Sequence, residues 1–166
     1  MLTPFVLSLT ACLTTPTCSC VPGPPISSEA TASTARDMVS TVFEGVVQRI
    51  ELVEVTTVLD SARGRVWRST DMIATVRVQR TWKGALDRTV TVRTSSETTM
   101  CGASLTKGRT VLVFGISGLD KRGIPTPTQR GDTVSTSKCS ATTQVTSQIE
   151  RIGYLLGRPE SRTPDP

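Results

Sequence analysis

Five residues carry most of the chemistry this chain can do: Cys12, Cys18, Cys20, Cys101 and Cys139. There is no histidine among the 166 residues. That removes every Ser-His-Asp or Cys-His nucleophile pair, every imidazole acid or base, and any histidine-bearing zinc site. Cys18 and Cys20 flank a single residue, so they cannot sensibly bond to each other. In an extended segment, side chains at i and i+2 point to the same side. Each needs a distant partner, and Cys101 and Cys139 are available. Four paired cysteines imply an oxidising compartment, and Cys12 is left over.

The 14 acidic residues offer no general acid/base pair. Glu51 and Glu54 stand three apart in a strand-like run and read as solvated. The chain is therefore expected to bind rather than catalyse, and to need no cofactor. The 19 Lys and Arg give a net charge of +5, but they are scattered rather than striped. Aromatics make up 4%, too few for a surface that stacks successive bases. Nucleic acid is not an expected partner.

The elements that must hold the cysteines follow from the pattern. Residues 2–13, LTPFVLSLTACL, are an apolar run too short to span a bilayer. The run resembles the core of an export signal, although no Lys or Arg precedes it. Residues 14–28 are rich in Pro, Ser and Thr, and Pro22, Pro24 and Pro25 forbid a helix there. Ser27 or Ser28 can cap a short helix over Glu29–Arg36. Residues 39–58 read as one long, bent strand whose alternation slips near Gly45 and again near Ile50–Val53.

A polar loop is expected over 59–71. In 72–82, Met72, Ala74, Val76, Val78 and Trp82 share a face, with Arg80 the exception. Thr89–Thr94 is a short strand, and Val111–Ile116 a strand buried on both faces. A Gly- and Pro-bearing loop covers 117–133, and Val134–Ser137 is a short last strand. Residues 142–156 carry Val145, Ile149, Ile152 and Leu156 at helical spacing. About five strands and few helices point to a small closed or partly open β-barrel, with a β-sandwich as the competing layout. The chain divides into a leader over 1–17, a barrel domain over 18–157 and a disordered tail over 158–166.

Five matched pieces, in order, carry a family resemblance. They are Cys18-Ser19-Cys20-Val21-Pro22, the strand DMVSTVFEGVV from Asp37 to Val47, Thr81-Trp82-Lys83-Gly84, Met100-Cys101-Gly102, and Ser137-Lys138-Cys139-Ser140. Together they resemble the tissue inhibitors of metalloproteinases and the wider netrin-like domains. The resemblance covers about residues 18–145. It implies a mainly β, OB-fold-like five-stranded barrel with a short N-terminal helix and a C-terminal helix. It also implies disulfides Cys18–Cys101 and Cys20–Cys139.

In that family the first cysteine is the mature amino terminus. Its free α-amino group and carbonyl oxygen chelate the zinc of a metalloendopeptidase, here the partner. The resemblance gives Cys18 this in trans metal-binding role. It aims Ser19 at the protease specificity pocket, with Cys20, Val21, Thr99 and Met100 on the same contact ridge. An α-amino pKa near 8 leaves a useful fraction unprotonated near neutral pH. Nothing in these 166 residues matches the third disulfide or the second cysteine-rich domain of animal members.

Leu9-Thr10-Ala11-Cys12 also resembles a lipobox. Lipidation at Cys12 would make it the terminus, leave Cys18 inside a peptide bond and abolish chelation. The expectation is thus a secreted, monomeric inhibitor without a transmembrane span. The alternative is a cell-envelope lipoprotein that uses the same barrel as a binding or structural module.

Overall fold

The computed structural model describes residues 25–60, 63–97, 101–120, 124–137 and 139–162. It is mainly β. Helix α1 spans Glu29–Asp37 and is followed by β1 (Thr41–Asp60), β2 (Arg65–Lys83), β3 (Thr89–Ser95) and β4 (Thr110–Gly115). Next come the two-residue strands β5 (Gly118–Leu119), β6 (Pro125–Thr126) and β7 (Val134–Ser135), then helix α2 (Thr146–Leu155) and β8 (Ser161–Arg162). Among the described residues, no helix is long and apolar enough to cross a membrane.

The sheet runs β4-β1-β2-β3-β7, antiparallel except for the parallel pair β3/β7. Ile116 and Ser135 exchange backbone hydrogen bonds of 2.9 Å, which tie the end of β4 to β7. The sheet is thereby curled into a half-barrel whose two edges meet at one bridge. This strand order, with its single parallel pair, is the OB-type arrangement.

The long first strand is bent as its pattern suggests. The register with β2 shifts at Val42/Phe43, Glu44/Gly45, Val47/Arg49 and Val58/Asp60. Each shift leaves one residue unpaired, which adds local twist. The shift at Gly45 is where the sequence places it. A Cβ there would lie 2.5 Å from the Arg77 carbonyl oxygen, so the strands can close up only over glycine. The next shift falls at Gln48, short of Ile50–Val53, and pairing is continuous from Arg49 to Val58.

Two apolar clusters result. Phe43, Val47, Ala74, Val76, Val78, Val90, Val92, Leu105, Val111, Val113 and Val134 fill the inside of the curl. Val42, Trp82, Leu112 and Phe114 face outward and pack with Ile26, Ala32, Val39, Ile149, Ile152 and Leu156 of the helical layer. β4 supplies both clusters by alternation, so it is buried on both faces as expected.

The Arg80 exception has a structural cause. Gly45 pairs with Val78 and Glu44 with Arg80, so Gln79 is an extra residue that turns β2 over. Arg80 and Trp82 therefore both face the helical layer, not the face of Ala74–Val78. Arg80 Nη2 lies between the two carboxylate oxygens of buried Glu44, 2.8 Å from Oε1 and 2.7 Å from Oε2, a charge-assisted pair. Its guanidinium carbon lies 5.8 Å from the Trp82 ring.

The helices are held by a local cap and by side-chain bonds from distant parts of the chain. The Ser28 and Thr31 side chains and backbones form a reciprocal cap on α1. Lys83 Nζ donates to the Arg36 carbonyl at 2.9 Å, putting a cation on the last turn of α1. Trp82 Nε1 donates to the Gly157 carbonyl, and Arg151 to the Ile26 carbonyl. Past α2 the sequence pattern suggests a disordered tail, but Glu160 N–H donates to Thr81 O and β8 pairs with Arg80–Thr81.

A larger difference concerns the expected loop over 59–71. Residues 65–71 are strand, laddered to 53–60 of β1. The β1–β2 hairpin thus extends beyond the barrel as a two-stranded ribbon. RVWRSTD lacks an apolar period; the backbone ladder to β1 makes it strand, and side-chain bonds from Arg93 and Ser96 reach only its end, at Thr70 and Asp71.

Candidate functional site

The chemistry-bearing residues within the described structure are Cys101 and Cys139, and both are disulfide-bonded. Cys101 follows the C-terminal end of β3, and Cys139 follows that of β7. Because β3 and β7 run parallel, through Val92–Val134 and Arg93–Ser135, those two ends lie at the same end of the sheet. The Thr136 N–H, which donates to Arg93 O at 2.9 Å, continues the parallel ladder toward Cys139. One end of the barrel thus presents two cystine-bearing loops on neighbouring strands.

The Cys101 loop is tightly built. Ser96 donates to Thr70 O through both its amide, at 2.9 Å, and its hydroxyl, at 2.8 Å. Gly102 N–H donates to Glu97 O at 3.1 Å. Ala103 N–H donates to the buried Thr94 Oγ1 at 2.8 Å. Ala103 and Leu105 are buried, and Leu105 enters the barrel cluster.

Cys101 itself has φ 65°, the left-handed region that an L-residue occupies at a cost. A Cβ on residue 102 would run into the Ser95 carbonyl oxygen. The Cys-Gly pair is therefore a local steric requirement: the cysteine turns the chain and the glycine passes under β3. Thr94 was not singled out by sequence. Its signal is only that a threonine sits at an inward position of an alternating strand.

The Cys139 loop is fastened by hydroxyls. The Thr136 side chain donates to Phe114 O at 2.9 Å. Ser140 Oγ donates to Ser137 O at 2.6 Å. Phe114 N–H donates to Thr142 Oγ1 at 2.9 Å, and Leu112 pairs through its backbone with Thr143. Cys139 N–H donates to Ser137 Oγ at 3.2 Å. The exposed Cys139 sits on a loop stitched to β4, so its position is fixed by the barrel.

The remaining residues singled out by sequence, Cys12, Cys18, Ser19, Cys20, Val21, Thr99 and Met100, lie outside the described residues. Of the Trp82-Lys83-Gly84 turn, Trp82 is core to the helical layer and Lys83 caps α1. Glu51 is exposed and paired with Arg49, and Glu54 is exposed on the ribbon. Among the described residues, no three His, Cys, Asp or Glu side chains come together to hold a metal ion.

No family model matches this chain, and no curated protein matches it either.

Proposed function

We propose that this protein is an exported, disulfide-stapled OB-type barrel that inhibits zinc metalloendopeptidases and is not itself an enzyme. In this reading it acts as a secreted monomer. The Cys18 α-amino group and carbonyl oxygen chelate the zinc of the target protease. A neutral amine is a competent zinc ligand, and catalytic zinc keeps an open position for it. Ser19 then enters the specificity pocket, with Cys20, Val21, Thr99 and Met100 alongside.

One observation supports this reading most. Two disulfide-bonded loops leave the same end of the parallel β3/β7 pair, as a Cys-x-Cys segment with both thiols on one side requires. Cystines Cys18–Cys101 and Cys20–Cys139 would hold the chelating residue rigid, so little ordering entropy is lost on binding.

The test has two parts. Peptide mapping without reduction is expected to recover Cys18–Cys101 and Cys20–Cys139; a Cys101–Cys139 link overturns the staple. Protein beginning at Cys18 is then titrated against zinc endopeptidases beside a form with one alanine added before Cys18. Inhibition is expected from the first only, and equal inhibition by both removes chelation. The second reading, an envelope lipoprotein, rests on Leu9-Thr10-Ala11-Cys12. A diacylated Cys12 terminus in the intact mass selects it.

A further inference from the structure

The ribbon formed by the distal halves of β1 and β2 has no role in the reading above, and its surface is unusual. Val58, Val66 and Trp67 near its tip are 60%, 49% and 41% exposed. Val58 pairs with Val66 and Thr57 with Trp67, so the valines lie on one face and the tryptophan on the other. Arginine alternates in the same way, Arg68 with Val66 and Arg65 with Trp67. Arg65 and Arg68 are exposed and have no side-chain partner among the described residues. By sequence, residues 58–68 carry three arginines and one acidic residue, a net charge of +2. The acids Glu51, Glu54 and Asp71 lie toward the barrel, two of them already paired with Arg49 and Arg93.

A flat protein partner would cover one face of a two-stranded ribbon. Apolar and cationic side chains on both faces of the same tip suit a medium that surrounds it. We infer that the β1–β2 tip is a membrane-interface anchor: it inserts Trp67, Val58 and Val66 at the headgroup level of an anionic lipid surface, with Arg65 and Arg68 on the phosphates. Tryptophan favours that boundary, and each arginine near an anionic surface strengthens binding about fivefold. The inference stands apart from protease inhibition and does not depend on lipidation at Cys12.

The experiment uses the full-length chain with phosphatidylcholine vesicles, with and without phosphatidylglycerol. Co-sedimentation and tryptophan emission are read together. Trp82 is 1% exposed and hydrogen-bonded, so a blue shift on binding reports Trp67. Binding and a blue shift are expected with phosphatidylglycerol only, weakening as salt is raised. Arg65→Gln with Arg68→Gln should weaken binding about thirtyfold, and Trp67→Ser should weaken it while abolishing the shift.

Neither change should alter the melting temperature, because all three side chains are exposed. Equal binding to both vesicle types, or affinity unchanged in the variants, overturns the proposal and leaves an acyl chain as the attachment. A tip that ignores vesicles but crosslinks to a protein through the same arginines overturns it in favour of an acidic protein partner.

Discussion

The two halves of the β1–β2 hairpin make an instructive pair. They belong to the same strands and share one antiparallel ladder, yet they have opposite surroundings. From Val42 to Val46 β1 lies between β2 and β4, and from Ala74 to Arg77 β2 lies between β1 and β3; Val47 and Val78 continue these flanks through bonds to Arg109 O and Arg88 O. Phe43, Val47, Ala74 and Val76 are fully buried there. Among the described residues β1 pairs only with β2 from Leu52 to Val58, and Leu52, Val58 and Trp67 face solvent. Strand propensity is similar throughout. Burial is decided by whether a third strand stands beside the pair, which is why a lone hairpin is marginal and a flanked one is core.

Hydrogen exchange gives the widest contrast. Ladder amides between Val42 and Val47 are expected to open only with global unfolding. Those between Leu52 and Val58 should exchange at least about a thousandfold faster. Equal protection would mean that the ribbon is covered in solution and would break the comparison. Next, Phe43→Ala should cost about 3–5 kcal/mol in denaturant unfolding, because the barrel cannot refill the space.

Gly45→Ala should cost about 1–3 kcal/mol, since its Cβ meets the Arg77 backbone. Arg80→Ala should cost about 2 kcal/mol by leaving the Glu44 carboxylate buried without its partner, an effect softened by the partial exposure of Arg80. Trp67→Ala, the same kind of truncation as Phe43→Ala but on the ribbon, should change stability by less than about 0.5 kcal/mol. A large loss at Trp67 would show that its exposure is misread and would also undercut its role as an anchor.

Much of the fold is readable in the residues themselves. A serine at 27 or 28 ahead of Glu29 predicts the first helix, and Val145, Ile149, Ile152 and Leu156 predict the second. VLVFGI announces a strand buried on both sides, and the slip at Gly45 announces the bend. These signals are local: a cap, a period or a missing Cβ acts within a few residues.

Three features are not readable in this way. The ribbon over 65–70 has no apolar stripe and, among the described residues, no third strand beside it, so its polar sequence looks like a loop. Arg80 looks like an error on an apolar face until its pairing shows Gln79 to be an extra residue. Residues 160–162 read as a tail because two or three residues carry no period, yet the Thr81 edge offers them backbone partners.

The candidate site divides along the same line. The residues alone determine that this chain has no imidazole chemistry, that Cys18 and Cys20 cannot pair with each other, and that Gly102 follows a cysteine. Only the tertiary structure decides that Cys101 and Cys139 leave the barrel at one end. That depends on β3 and β7 lying side by side and parallel although some forty residues separate them. Such a contact is set by closing the sheet around its apolar interior, and no local pattern encodes which edges will meet.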